Sequence, residues 1–342
     1  MHGVQNMNSD YTKFAYLLQK RPLIFTVVPI RDNKTGDPVH DEKILKTVDS
    51  RKAEIAAALK PFTRLNAVNV PELVEENHEG KPRYNSVYTR KLARSIADSL
   101  GVDAIVNKVV VHIDSYDDYV KWIAETSSLG ISNIIFVGGN TRHHRYPGPS
   151  VSEANIAIRH LEEKGQIKGI TVGNICLPER RDEAKKMLFK TLTGAKFFTT
   201  QMLFDSRQIA DLLYEYGKLC SIADVEPATI LLSFAPLKST ADLNLLDFLG
   251  VDLPENVKNY ILEDVSMAEA TRRSLLNALN VYSGVVKALE NVKNPVPIGI
   301  NIEQLTRSNL SSSVKMLGEF SGVIDLQSHG ISEHLEKLQH QN

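Results

Sequence analysis

The sequence predicts an α/β protein: a single (β/α)8 TIM barrel with an extra helix between its seventh and eighth strands. Three observations predict it. Short runs rich in Val and Ile alternate with longer segments of helical period, and the alternation repeats eight times. The runs are apolar on both faces, as in parallel strands covered by helices, and crossovers of a dozen or more residues demand parallel pairing. No Gly-rich dinucleotide fingerprint follows any strand, and Gly138-Gly139-Asn140 is not one. Eight evenly spaced units therefore favour a closed barrel over a doubly wound open sheet.

The elements follow in order. The first strand spans 22–28 and is closed by Pro29, and a helix with Ile44, Leu45, Val48, Ile55 and Leu59 near one face spans 41–59. The second strand is 65–70, ended by Pro71; a polar, charged loop covers 72–83 and a helix 84–100. The third strand is 104–113 with a helix at 117–128, and the fourth is 133–139, opening into the loop NTRHHRYPGPS before a helix at 151–164. The fifth and sixth strands, 169–175 and 196–203, precede helices at 182–192 and 206–219. The seventh strand, 229–235, leads into a helical region that reaches residue 289 and is broken by Pro254, hence the extra helix. The eighth strand is 298–302, and a helix at 310–320 closes the ring. Residues 1–20 form an N-terminal extension, 21–328 the barrel, and 329–342 a polar tail that is a terminal helix or a frayed end.

Composition bounds the function. The chain has 342 residues, 42% hydrophobic and 24% charged, with a formal net charge of -1. Such a balance provides no global field toward nucleic acid or membrane. Cys176 and Cys220 make neither a disulfide framework nor a metal spacing, which suits a reducing cytoplasm. No signal peptide, membrane span, nucleophile elbow, P-loop or metal constellation is readable. A homo-oligomer is left open, because barrels with exposed apolar helix faces often dimerise.

In a barrel, polar residues where strands give way to loops are the functional candidates. These are Thr26, Asn69, Glu72, His112, Asp114, Asn140, Asn174, Gln201, Asp205, Ser233 and Glu303. Several have plainer explanations. Asp205 and Asp114 precede helices and fit N-caps. Ser233 suits a tight barrel layer, and His112 suits a satisfied core histidine. Gln201 and Glu303 are harder to dismiss, since each lies near the end of a strongly apolar strand. A buried amide or carboxylate needs partners, and a ligand is one. The loop after the fourth strand is the other signal. Gly139, Asn140, Tyr146 and Ser150 frame a helix start that favours anions, beside Arg142, His143, His144 and Arg145. A phosphate-bearing cofactor fits there, and so does a solvated turn.

The segment GAKFFTTQMLFD (194–205) resembles the sixth-strand motif of methylenetetrahydrofolate reductases. VPIGINIEQLTRSN (296–309) is similar to that family's last strand and following turn. ILLSFAPLKS (230–239) resembles its seventh strand, especially in the short flavin-independent branch. The resemblance covers most of the chain, with strong local motifs in the second half. It implies a barrel that reduces the methylene group of 5,10-methylenetetrahydrofolate to methyl in one-carbon metabolism and methionine biosynthesis, using hydride from NAD(P)H. It implies that Gln201 hydrogen-bonds the pterin and that Asp205 shapes the same site, with Asn140, His112 and Asn69 as further folate contacts. A buried amide suits a pterin edge, which carries both donors and acceptors.

Three departures accompany the resemblance. The family's first strand ends in a glutamate that protonates folate and opens its five-membered ring. Thr26 stands there, and threonine cannot supply that proton. Gly138-Gly139-Asn140 replaces the Arg-Gly-Asp that holds flavin, and Val109 replaces a flavin-contacting histidine. FAD in the usual manner is therefore not expected. Glu303 is the expected relocated acid, with Glu72 as second choice. Two alternatives remain open: a folate- or pterin-binding barrel without turnover, and a lyase or aldolase using Lys108, whose plainer reading is a structural ion pair.

Overall fold

The computed structural model describes residues 13–76, 79–84, 86–139, 144–251 and 253–340. Eight parallel strands close into a barrel: β1 (Leu23–Thr26), β2 (Leu65–Val70), β3 (Asp103–Val109), β4 (Asn133–Val137), β5 (Thr171–Cys176), β6 (Phe197–Met202), β7 (Thr229–Phe234) and β8 (Ile298–Glu303). Each strand pairs with its successor, and β8 returns to β1 with Leu23 opposite Ile300 and Thr26 opposite Glu303. The expected (β/α)8 barrel is thus the observed fold. Helices Pro38–Leu59, Thr89–Leu100, Tyr116–Ser128, Val151–Glu163, Glu183–Thr193, Arg207–Ile222, Met267–Leu289 and Leu310–Val323 form the outer ring.

Three differences from the sequence-based expectation matter for the site and its surroundings. β3 stops at Val109, and Val110–His112 turns as a 3-10 helix. The backbone leaves the sheet there because its groups find other partners: Val109 N donates to Glu72 (2.9 Å) and Val111 O accepts from Gly148 N (2.9 Å). The second barrel helix begins at Thr89 rather than residue 84. The preceding residues make a short hairpin, Glu75–Glu76 with Pro82–Arg83, and Ser86 bridges to Arg31. Two helices, not one, are inserted after β7: Ala241–Leu249 and Glu255–Leu262. Pro254 caps the second, but the first ends earlier, at Gly250 with φ +66°. That left-handed conformation costs glycine little and stops the helix.

The core has three parts, the smallest joining Met202, Phe204 and Leu237 to Leu246 and Ile261 of the inserted helices. Between strands and helices lies the large apolar layer that runs round the ring, from Phe25 and Val68 to Ile302 and Phe320. Inside the barrel, Ile24, Ala67, Ile105, Ile135, Phe197 and Leu231 form a second cluster, sealed from below by Phe14 and Leu18. Phe14 and Leu18 come from the helix Lys13–Leu17 and the turn Leu18–Lys20. The Phe14 ring meets Phe197 edge-on at 5.5 Å. Gly173 makes this packing possible, since a Cβ there would lie 2.3 Å from the Phe197 ring. Each such buried Leu, Ile or Phe contributes about 1.5–3 kcal/mol. The C-terminal helix Ser328–His340 packs on Met267–Leu289 and buries Ile331 and Leu335. Among the described residues no helix is long and apolar enough to cross a membrane.

Candidate functional site

Side chains alternate along a strand, so the inner apolar cluster fixes which residues face the barrel axis. One step above Ile24, Ala67 and Ile105 stand Thr26, Asn69 and Asn107. Above Ile135 and Gly173 stand Val137 and Ile175, and above Phe197 stands Thr199; the register shifts between Thr199 and Met202, so the alternation does not carry on to Gln201. Ser233 follows Leu231, and Asn301 and Glu303 follow Gly299. Asn107, Val137, Ile175, Gln201 and Glu303 keep partial access to solvent, whereas Thr26, Asn69, Thr199, Ser233 and Asn301 are buried beside or beneath them. The mouth of the barrel is thus a polar layer over an apolar floor.

This layer is wired together. The Thr26 hydroxyl donates to Asn301 Oδ1 (2.7 Å) and accepts from Asn69 Nδ2 (3.2 Å). Asn301 Nδ2 donates to Ser233 Oγ (3.0 Å) and to Glu303 Oε1 (3.2 Å). Thr199 and Ser233 share a hydroxyl bond of 3.1 Å. Asn69 Oδ1 and Asn107 Oδ1 are buried without a hydrogen-bond partner among the described residues. Leaving such an acceptor unmatched costs about 1–3 kcal/mol, so each is a place where a ligand donor would be welcome.

Glu303 is the electrostatic centre. The residue as a whole keeps partial access to solvent, but protein atoms pack round its carboxyl. That burial pushes its pKa up to about 7, and a bond from the Ser233 hydroxyl works against the shift. A carboxyl titrating near neutrality can both hold and release a proton under working conditions.

Gln201 lines a cavity of about 230 Å³ with Phe204, Asp205, Arg207 and Val251, and its Nε2 donates to Leu249 O (2.9 Å) at the end of the first inserted helix. Asp205 Oδ1 accepts from Arg207 N (2.6 Å), so its carboxylate serves the start of the following helix while still facing this cavity. A larger cavity, about 590 Å³, opens beside β1 and β8. Its wall is largely apolar, from Val28, Ile30, Ile44 and Leu305, and Arg31 and Arg307 lie in its lining.

Other candidates sit away from this centre. Asn174 faces outward and exchanges amide bonds with Asn155 (2.9 and 3.3 Å), fastening β5 to its helix. Lys108 is held by both oxygens of Glu72 (2.9 and 3.1 Å) between the rings of Tyr84 and Trp122. His112 Nε2 meets Glu76 Oε1 (2.8 Å), and the Tyr146 hydroxyl donates to Glu76 Oε2 (3.1 Å). Glu76 therefore clamps the β2 loop to the loops after β3 and β4. Ser150 and Glu153 form a reciprocal capping box that uses the helix-start amides itself. Gly139 lies under the Tyr146 ring, where a Cβ would come within 2.3 Å. Asn140, Arg142 and His143 lie outside the described residues. Among the described residues no group of three or more metal-binding side chains occurs.

Sequence reasoning missed Asn107, Asn301, Thr199 and Glu76. Asn301 was findable: in Ile298-Gly299-Ile300-Asn301-Ile302-Glu303 the two polar residues are two apart and share a face.

No protein-family model matches the chain, and no curated protein is similar to it. Solved structures are. An uncharacterized protein from Clostridium thermocellum that binds two copies of 5-methyl-5,6,7,8-tetrahydrofolic acid superposes with a TM-score of 0.69 at 16% identity, covering 91% of this chain and 100% of that one. The Bacillus cereus spore cortex-lytic enzyme SleL superposes with a TM-score of 0.44 at 12% identity, covering 87% and 73%. At 16% identity the likeness to the Clostridium thermocellum protein shows the fold alone.

Proposed function

We propose that the barrel mouth is a folate site and that the chain is an oxidoreductase of the methylenetetrahydrofolate reductase type, with Glu303 as its acid. One observation carries the reading. Glu303 is the register partner of Thr26, the position where the resembled family keeps its glutamate, and its carboxyl titrates at about 7. The acid has moved one strand sideways at the same height. The folate ligand of the Clostridium thermocellum protein supports the substrate class.

In this reading Glu303 protonates the folate, Gln201 bonds the pterin edge, and Asn69 and Asn107 supply acceptors for its N–H groups. NAD(P)H supplies hydride as a co-substrate; Arg31 and Arg307, which line the cavity beside β1 and β8, would meet its phosphates. The residues present do not fit flavin held in the family's manner. Val109 offers no polar contact, and the Tyr146 ring covers Gly139.

The test mixes purified protein with methylenetetrahydrofolate and NADH or NADPH, with and without FAD. Methyl product without FAD, from a colourless protein, is expected. Absence of product under every combination overturns the reductase assignment. Tight 5-methyltetrahydrofolate binding without turnover would instead make the chain a folate-binding barrel, the second reading, favoured by Thr26 in the acid's place.

A further inference from the structure

Thr26 occupies the acid's position, and its bonds give it another task. A threonine hydroxyl has one proton, and here it goes to Asn301 Oδ1 at 2.7 Å. That bond fixes the Asn301 amide. Its oxygen points to β1, and its Nδ2 points to Ser233 Oγ and Glu303 Oε1. Thr26 Oγ1 in turn accepts from Asn69 Nδ2, which leaves Asn69 Oδ1 buried and unmatched. Every donor along Asn69, Thr26 and Asn301 therefore points toward Glu303. A carboxyl whose Oε1 already accepts an N–H keeps its own proton on Oε2.

We propose that Thr26 and Asn301 are positioning residues that hold the Glu303 carboxyl with its acidic proton on Oε2, and that the chain starts at Asn69 Oδ1, which takes an N–H of the bound heterocycle. The ligand half rests on the folate reading above; the orientation of Glu303 is a property of the free protein. The neighbours that face the carboxyl are Thr26 from β1, Ser233 from β7 and Asn301 from its own strand, none of them charged. The Asn301 amide thus adds its N–H to the Ser233 hydroxyl bond that favours the ionised form. Hydrogen bonds in a chain polarise one another, so a donor arriving at Asn69 strengthens the bond at Glu303.

The experiment is a carbon-13 NMR titration of the Glu303 carboxyl in the full chain. Wild type should titrate at about 7. Thr26→Val frees the Asn301 amide to turn its oxygen toward Glu303, which raises the midpoint by about one pH unit. Thr26→Ala removes the hydroxyl without adding bulk and should do the same, whereas Thr26→Ser should restore the wild-type value. If Thr26→Val and Thr26→Ala both titrate like wild type, the positioning role is overturned. Saturating 5-methyltetrahydrofolate should lower the wild-type midpoint and leave that of Asn69→Leu in place. A bound ligand that leaves wild-type Glu303 unmoved overturns the Asn69 half. A wild-type protein that does not bind the compound overturns the folate reading, and with it the Asn69 half, while the ligand-free titration still decides the role of Thr26 and Asn301.

Discussion

From β6 round to β2 the side chains at the mouth are Gln201, Thr199, Ser233, Glu303, Asn301, Thr26 and Asn69; across β4 and β5 they are Val137 and Ile175. β3 lies between, with Asn107 below and Val109 at its rim. One arc of the rim therefore reads donors and acceptors, and the other is a smooth apolar wall. A planar heterocycle satisfies both at once, its face on the wall and its edges on the arc. Under the proposed function, the difference would also explain how the scaffold parts with flavin and keeps folate. The positions that would hold flavin, Val109 and Gly139, lie on or beside the apolar side, and the positions that would hold folate lie on the polar one.

The contrast can be broken most sharply at Glu303. Glu303→Gln keeps the shape and removes the proton. Turnover should fall about 10²–10³-fold with the folate KM little changed. Full activity would move the acid elsewhere.

The same substitution has a stability signature. The folded carboxyl titrates at about 7, above its ordinary value of 4.5. The folded state thus holds this proton more tightly than the unfolded chain. The associated stability is present below pH 4.5 or so and is lost as pH rises through about 7. At pH 8, Glu303→Gln should therefore be more stable than wild type by about 2 kcal/mol, a figure discounted for the residue's partial access to solvent. At pH 4.5 the gain should vanish. Urea unfolding at the two pH values measures it, and an equal gain at both would mean that burial does not set the titration.

Smaller effects test the two arcs against each other. Gln201→Ala should raise the folate KM or Kd about tenfold, the worth of one or two hydrogen bonds. Its bond to Leu249 O is lost as well, so the first inserted helix should exchange its amide hydrogens faster. On the wall, Ile175→Ser should weaken binding only about threefold, because it removes contact area and no hydrogen bond. If calorimetry ranks the two the other way, the wall and not the arc carries the affinity.

Much of this was legible in the sequence. The strands stood out because parallel strands covered on both faces are continuous apolar runs, and Gln201 and Glu303 stood out because they interrupt such runs. Direction was harder. Asn174 and Asn301 look alike in sequence, yet one faces a helix and the other the barrel axis, and only register separates them. Thr26 read as a loss, because its hydroxyl partner lies 275 positions away on the other side of the barrel seam. The second inserted helix was hidden because Pro254 announces one break, while Gly250, an ordinary glycine in sequence, makes the other through its left-handed backbone.

The floor of the barrel has a kinetic meaning. Phe14 and Leu18 stopper it from below with apolar groups at most 3% exposed, so among the described residues the vessel has one door. In the proposed reaction, the two reactants that meet over Glu303 would come and go through that single rim. Whichever settles deeper has to arrive first and depart last, and a dead-end analogue of the upper one would trap the lower inside.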